Sequence, residues 1–370
     1  MKTNKLFVKY NGNLVGTLAI AKDKRIAFQY STEWIKNGFS INPFSLPLND
    51  SVFLPKNMTF NGLFGIFSDS LPGNWGNLLL DRVLISKGIK KEDINMLDRL
   101  AIIGKNGMGA LEYEPEISYE NNYYEKTLDE ISIECSKILK SEYSNDLDLL
   151  FKLGGSSGGA RPKVLMKIDN TNWIIKFSNH IDRNDSGLME YEYALCAKAC
   201  GIDMPLVKLF DSKMCSGYFG IERFDINHNY KMHMATVAGL LEADYRSPCL
   251  DYNDLLKLTK IITNDIDTYQ MFRRMCFNIY SHNMDDHAKN FSFIYKEDIK
   301  TWRLSPAYDL TYSNTYYGEH TTSVSGKGKN ITDKDILEVA KKNHLNVDKC
   351  KKIMMDIKIK IENNLSKYLK

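Results

Sequence analysis

The residues best equipped for chemistry stand in one short run, Ser281-His-Asn-Met-Asp-Asp-His-Ala-Lys-Asn-Phe-Ser-Phe-Ile-Tyr295. At its centre, Asp285 is followed five positions later by Asn290. That is the spacing of a phosphoryl-transfer loop, in which the carboxylate accepts the proton of an attacking hydroxyl and the amide oxygen holds Mg²⁺. Upstream, Met271, Phe272, Met275, Cys276 and Ile279 have helical spacing; downstream, Phe291, Phe293 and Tyr295 alternate as in a strand. An ordinary polar turn has the same composition, because Asp, His and Asn favour turns. The partners of this run elsewhere in the chain decide between the two readings.

Leu153-Gly-Gly-Ser-Ser-Gly-Gly-Ala-Arg-Pro-Lys163 runs straight into a predicted strand. A backbone without Cβ atoms can lay its N–H groups against phosphates. The pattern is not a Walker A, since Ala160-Arg161 stands where Lys-Ser/Thr is required, and it is not Gly-x-Gly-x-x-Gly. A flexible linker has similar composition. Trp173-Ile-Ile-Lys-Phe177 reads as a buried strand carrying Lys176, and a lysine there is costly unless its ammonium meets a charge. Lys163 and Lys167 compete for the same phosphate-gripping role. The helix predicted over Glu190–Gly201 offers Glu190 or Glu192 as the acid that pairs with Lys176, as in kinases. Two strands follow, Pro205–Phe210 and Tyr218–Asp225. The second ends at Glu222-Arg-Phe-Asp225, where a hinge would face an adenine ring. Between Asn290 and Asp309 there is room for one hairpin, as kinases place between the catalytic loop and the second Mg²⁺ aspartate, so Asp309 is the natural metal ligand; an Asp capping a turn after Pro306 is the alternative.

The rest of the chain must position these groups. Its 370 residues are 43% hydrophobic and 26% charged, a globular composition with room for two or three domains. A net charge of +3 and a pI near 8.2 give no nucleic-acid footprint. No signal peptide is read at the start, no apolar run is long enough to span a membrane, and a cytoplasmic location is expected. Seven cysteines without a Cys-x-x-Cys pair read as buried thiols in a reducing compartment. Residues 5–30 read as strands with a turn at Asn11-Gly12-Asn13. Ser70 is the expected cap of the next helix, a further helix is predicted over Glu92–Ile103, and Ala110–Tyr113 is a closing strand. A boundary is placed at Pro115–Tyr124 and a linking helix at Thr127–Leu139. The Lys-rich tail from Ile331 reads as packed helix with a solvated face.

Taken together, Ser156-Ser-Gly-Gly-Ala-Arg-Pro-Lys163, Ile175-Lys-Phe177 with Glu222-Arg-Phe-Asp225, Asp285-Asp-His-Ala-Lys-Asn290 and Leu304-Ser-Pro-Ala-Tyr-Asp309 resemble the HipA family of serine/threonine kinase toxins. Phe67-Ser-Asp-Ser-Leu-Pro-Gly-Asn-Trp-Gly76 resembles that family's N-terminal subdomain. The resemblance covers nearly the whole chain. It implies an α+β fold with a β-rich N-terminal subdomain over 1–115, a linking helix over 116–145, and a bilobal protein-kinase-like domain. The kinase part comprises an N-lobe over 146–228 and a helical C-lobe over 229–370.

The resemblance also implies roles. Asp285 would be the catalytic base, with Asp286 a neighbour. Asn290 and Asp309 would hold Mg²⁺. ATP would be bound by Ser157, Gly158, Gly159, Ala160, Lys176, Glu222, Phe224, His287 and Lys289. Glu190 would pair with the lysine, and Ser156 or Ser157 would be autophosphorylated to silence the enzyme. A HipB-like helix-turn-helix antitoxin would be the partner and the route to DNA, and an aminoacyl-tRNA synthetase the family precedent for substrate. Two other classes compete: a catalytically silent partner of a helix-turn-helix repressor, and a small-molecule phosphotransferase of the antibiotic type. A metal hydrolase built on Asp285, Asp286 and His287 is weaker, because three consecutive residues rarely converge on one ion.

Overall fold

The alternation at the start of the chain becomes a four-stranded antiparallel sheet, ordered Ile26–Tyr30, Asn13–Ile20, Lys5–Tyr10, Leu111–Glu114. Leu6, Val8 and Tyr10 face inward while Lys5 and Phe7 are exposed, the period-two pattern of a half-buried strand. Asn11 and Gly12 both have positive φ, as a two-residue hairpin turn of right-handed twist requires. The computed structural model describes residues 3–117, 125–179, 184–228, 230–315 and 317–369. It divides into two compact units: Met1–Gly187 with Phe210–Ala235 and Gly239–Glu242, and Leu188–Leu209 with Thr236–Ala238 and Ala243–Lys370.

The first unit carries a second antiparallel set of strands, Lys163–Ile168, Thr171–Lys176 and Tyr218–Glu222. Asp169 and Asn170, both at positive φ, turn the first into the second and set Lys163 opposite Lys176. The helices Asn74–Ser86, Leu128–Leu139 and Leu147–Gly154 pack on them. Trp75, Leu79, Ile131, Ile138, Leu150, Val164, Trp173, Ile175 and Phe177 form one buried cluster. The helix that follows the early Pro-Gly-Asn-Trp-Gly run therefore shares a core with the strand that follows the glycine-rich loop.

Two helix starts differ from expectation. Ser70 caps nothing: the helix begins at Asn74 with Gly73 as its N-cap, beyond Pro72, and the buried Ser70 hydroxyl accepts the Tyr113 phenol at 2.8 Å. The helix expected from Glu92 begins at Met96, because Asn95 and Asp98 close a reciprocal capping box with bonds of 2.9 Å each. Lys91–Asp93 is only a 3₁₀ turn. Thr127 caps Leu128–Leu139 close to where the linking helix was placed. Residues 118–124 of the expected boundary lie outside the described residues.

The second unit is mostly helical. Asp265–Tyr280 buries Met271, Phe272, Met275 and Cys276, as the apolar spacing predicts, while Ile279 is half-buried and Phe277 is buried in addition. Tyr252–Ile262 packs beside it, and Asp333–Lys342 and Val347–Leu365 complete the helical body. The hairpin Ser292–Lys296 with Thr301–Leu304 fills the interval between Asn290 and Asp309. The whole is a mixed fold with a β-rich first unit, the α+β class expected. Lysines of the tail are largely matched by acids, Lys358 with Asp333 and Lys360 with Asp356 among them. Five of the seven cysteines are buried, among them Cys196 and Cys200, four apart and expected as buried thiols; Cys249 is exposed and Cys215 half-buried. Among the described residues no helix is long and apolar enough to cross a membrane.

Candidate active site

The second unit holds the acidic and amide candidates. Helix Asp265–Tyr280 ends at Ser281, and the chain turns through His282 at positive φ into the loop of interest. Ala288–Asn290 forms one 3₁₀ turn, with the His287 Nδ1 accepting from Lys289 N at 3.2 Å. Asn290 Nδ2 donates back to the Asp285 carbonyl at 2.7 Å. With its nitrogen so engaged, the amide's oxygen is the end that could ligate a cation. The Asp285 side chain keeps 57% of its surface exposed, with His287 Nε2 3.9 Å away. Both line a cavity of about 710 Å³ with Tyr245, Glu319 and His320. Tyr245 lies beside His287, ring centroids 5.9 Å apart, and under the Lys289 ammonium at 4.5 Å.

Asp286 has the opposite environment. It is 1% exposed, and its carboxylate accepts Tyr252 Oη at 2.8 Å, His320 Nδ1 at 2.9 Å and Thr322 N at 3.1 Å. Thr322 Oγ1 also donates to its carbonyl. Burial and the Asp286 charge push the Tyr252 phenol well above its ordinary pKa, so that it stays a donor. A carboxylate so buried and so engaged holds a loop in place.

Asp309 stands at positive φ at the end of Ser305-Pro-Ala-Tyr-Asp309. That segment is pinned along its length: Ser305 N to Ser292 O at 3.0 Å, Arg274 Nη2 to Ser305 O, and Ala307 N to Asp203 O at 2.8 Å. Tyr308 Oη donates to the Lys289 carbonyl at 2.8 Å, which ties the residue before Asp309 to the residue before Asn290. The Asn290 amide oxygen and the Asp309 carboxylate would make a sparse, all-oxygen donor set. It suits Mg²⁺, which keeps several waters and takes the rest of its shell from phosphates. Among the described residues no group of three or more His, Cys, Asp or Glu side chains could hold a metal, which a Zn²⁺ cage would need.

The first unit holds the glycine-rich loop and the lysines. Gly73 N donates to Ser157 O at 2.9 Å, Trp75 N to Gly159 O at 3.2 Å, and the Trp75 indole to Lys163 O at 3.2 Å. The approach is so close that a Cβ on Gly73 would meet Gly159 N at 2.2 Å, and one on Gly76 would meet Gly155 O at 2.5 Å. Ser157 is 1% exposed with its hydroxyl on Gly154 O at 2.6 Å, and Ser156 is also buried. Lys163 is buried and reaches the loop, its ammonium 2.6 Å from Gly158 O. Lys176 is half-buried over the Phe219 ring at 5.6 Å. Glu222 and Phe224 are half-buried at the end of the strand. Between them and beyond, Arg223 and Asp225 form a fully buried pair at 2.7 Å.

A family model described as HipA N-terminal domain matches residues 6–114, and one described as HipA-like C-terminal domain matches residues 155–365. The chain belongs to the HipA family. A chain of the Shewanella oneidensis MR-1 toxin–antitoxin complex of HipA, HipB and operator DNA superposes with a TM-score of 0.74 at 17% identity. That likeness covers 98% of this chain and 90% of the other. It establishes that the fold is that of this HipA structure over nearly the whole chain. "Putative kinase Y4dM" of Sinorhizobium fredii is 31% identical over 170 residues, 41% of this chain and 40% of that protein. The chain thus spans about 40% of the length of the curated relative it matches.

Within this HipA-family chain, Asp285, His287, Lys289, Asn290 and Asp309 belong to the second unit, as does Glu190, which is buried. Ser156, Ser157, Gly158, Gly159, Ala160, Lys176, Glu222 and Phe224 belong to the first. Glu192, the alternative acid, is engaged by Lys367 at 2.7 Å and Tyr368 at 2.6 Å near the chain's end. The sequence reading missed Gly73 and Trp75 as holders of the glycine-rich loop, and Tyr252, His320 and Tyr308 as supports of the acidic loops. The repeated small residues of Pro72-Gly-Asn-Trp-Gly76 were the available signal for the first pair. The second set has no local signature.

Proposed function

We propose that this HipA-family chain is an ATP- and Mg²⁺-dependent kinase of protein serine or threonine hydroxyls. The observation that carries the reading is the contrast at Asp285-Asp286: one carboxylate is presented to a cavity beside an amide tied to its own backbone, and the other is consumed in holding the loop. Asp285 accepts the proton of the attacking hydroxyl, and His287 and Lys289 line the approach. Asn290 and Asp309 would hold the cation, which when bound neutralises phosphate charge and aligns the transferred group. Lys176, with Lys163 behind the glycine-rich loop, supplies positive charge for phosphates, and Glu190 is the acid offered to the lysine. Glu222 and Phe224 face the adenine, and the backbone of Ser157–Ala160 faces the phosphates.

Autophosphorylation at Ser156 or Ser157 is part of the reading. With both side chains buried, the loop must leave its seat on Gly73 and Trp75 before either hydroxyl can react. A phosphate there, with about two negative charges, would keep it out. The structural relative belongs to a complex with HipB and operator DNA. It supports a HipB-like antitoxin as partner and a toxin role, with DNA reached through that partner. An aminoacyl-tRNA synthetase is the substrate that family precedent favours. Mass spectrometry after incubation with Mg²⁺ and ATP tests the reading, beside an Asp285→Asn control. One phosphate on the glycine-rich loop, absent from the control, is expected. Dephosphorylated chain that neither gains phosphate nor binds ATP would leave the silent repressor partner as the better account.

A further inference from the structure

Behind the acidic loops of the second unit runs a series of hydrogen bonds, buried from Asn283 to Asp286 and part-buried at Asp309. Asn283 Nδ2 donates to the Asp309 carbonyl at 3.3 Å and to Asn278 Oδ1 at 2.9 Å. Asn278 Nδ2 donates to Tyr252 Oη at 3.0 Å, and Tyr252 Oη donates to Asp286 Oδ2 at 2.8 Å. His320 closes the far end on the same Asp286 oxygen. Asn278 and Asn283 are each 2% exposed, and Tyr252 is fully buried. From Asn283 through Asn278 and Tyr252 the donors run toward Asp286, the arrangement in which neighbouring bonds polarise and strengthen one another, and Asn283 also donates the other way, to the Asp309 carbonyl. The series joins three helical and loop segments that are otherwise separate in sequence, and its two ends are the neighbours of the catalytic base and the backbone of a metal ligand.

We infer that Tyr252 is a positioning residue, the central link of a buried chain that keeps the Asp285 loop and the Asp309 loop in fixed register. The inference rests on the kinase reading for its consequence, but the mechanical coupling is testable without it. A phenylalanine at 252 fills the same volume and removes both the bond given to Asp286 and the one received from Asn278. A merely structural tyrosine would lower stability and loosen its own surroundings. A link in a chain also loosens the distant end.

The test compares wild type, Tyr252→Phe, Asn283→Ala and the double variant. Hydrogen exchange of the peptide covering residues 305–313 is read by mass spectrometry, with phosphoryl-transfer kcat and KM and thermal unfolding alongside. Tyr252→Phe should speed exchange over 305–313 by about tenfold in folded protein. It should lower kcat by about ten- to a hundredfold while KM for ATP stays within about twofold. The double variant should be no worse than the worse single one, because a chain broken once transmits nothing more. Unchanged exchange over 305–313 in Tyr252→Phe, or losses that add in the double variant, would overturn the inference. Absence of phosphoryl transfer in wild type counts against the kinase reading alone, since the exchange measurement still decides the coupling.

Discussion

Asp285 and Asp286 are adjacent in the chain and opposite in environment: the first side chain is 57% exposed on a cavity wall, and the second has no exposed surface and three donors on its carboxylate. One residue's shift along the backbone thus separates a group that can take a proton from a group that fixes a loop. The two roles make different demands on a substitution.

Asp285→Asn should lower phosphoryl transfer by at least about a hundredfold, with stability changed by less than about 0.5 kcal/mol, as for an exposed site. Asp286→Asn should instead destabilise by roughly 2–3 kcal/mol, because an amide replaces an acceptor on which three donors converge. Urea unfolding and transfer assays on both variants separate the effects. Equal stability losses would contradict the assignment.

Gly73 and Gly158 both touch on the glycine-rich loop, with different room around them. A Cβ on Gly73 would meet Gly159 N at 2.2 Å, while one on Gly158 meets nothing within 4 Å. Gly73→Ala should displace the loop and weaken ATP binding by about tenfold or more, and Gly158→Ala should leave stability within about 0.5 kcal/mol of wild type. Titration with a fluorescent ATP analogue and thermal unfolding give the comparison.

The buried pair Arg223–Asp225 should be sensitive from either side. Burial works to raise the Asp225 pKa, but the Arg223 charge and its hydrogen bonds, with the Gly109 N–H, hold it below the usual carboxylate range. Arg223→Ala should cost about 3–5 kcal/mol, because it strands a buried carboxylate. A folded pKa below the unfolded one gives stability that is present above the unfolded value and lost as pH falls through the folded one. Unfolding of wild type should therefore become easier in acid below the unfolded carboxylate value of about 3.9, and the variant should show less of that dependence.

Glu242 has the reverse sign. Burial pushes its carboxyl up from 4.5 to about 7, against the Gly65 N–H that it accepts at 2.8 Å. A folded pKa above the unfolded one gives stability that is present at low pH and lost as pH rises from the unfolded value through the folded one. Glu242→Gln should gain roughly 1–2 kcal/mol over wild type near pH 8, after allowance for its part exposure. Near pH 4 the gain should vanish. Urea midpoints at the two pH values check the sign.

The sequence by itself determined the features that local physics encodes. Alternating Leu6, Val8 and Tyr10 became a half-buried strand, the apolar spacing from Met271 to Cys276 became a buried helix face, and the interval from Asn290 to Asp309 became one hairpin. The ordered motifs were enough to reach the family. Local pattern fell short at helix starts, where Gly73 outranked Ser70 and the Asn95–Asp98 box outranked Glu92. It also left Glu190 and Glu192 as alternatives, and only the fold brought Lys367 and Tyr368 onto Glu192. Tertiary structure alone decided which serine hydroxyl is sealed onto Gly154, and which lysine reaches the glycine-rich loop. It alone brought Gly73 against Gly159, Tyr308 onto Lys289, and Tyr252 onto Asp286. The physical reason is that strand and helix periodicity is written within a few residues. A buried polar contact needs two groups brought together from distant parts of the chain, and neither carries a mark of its partner.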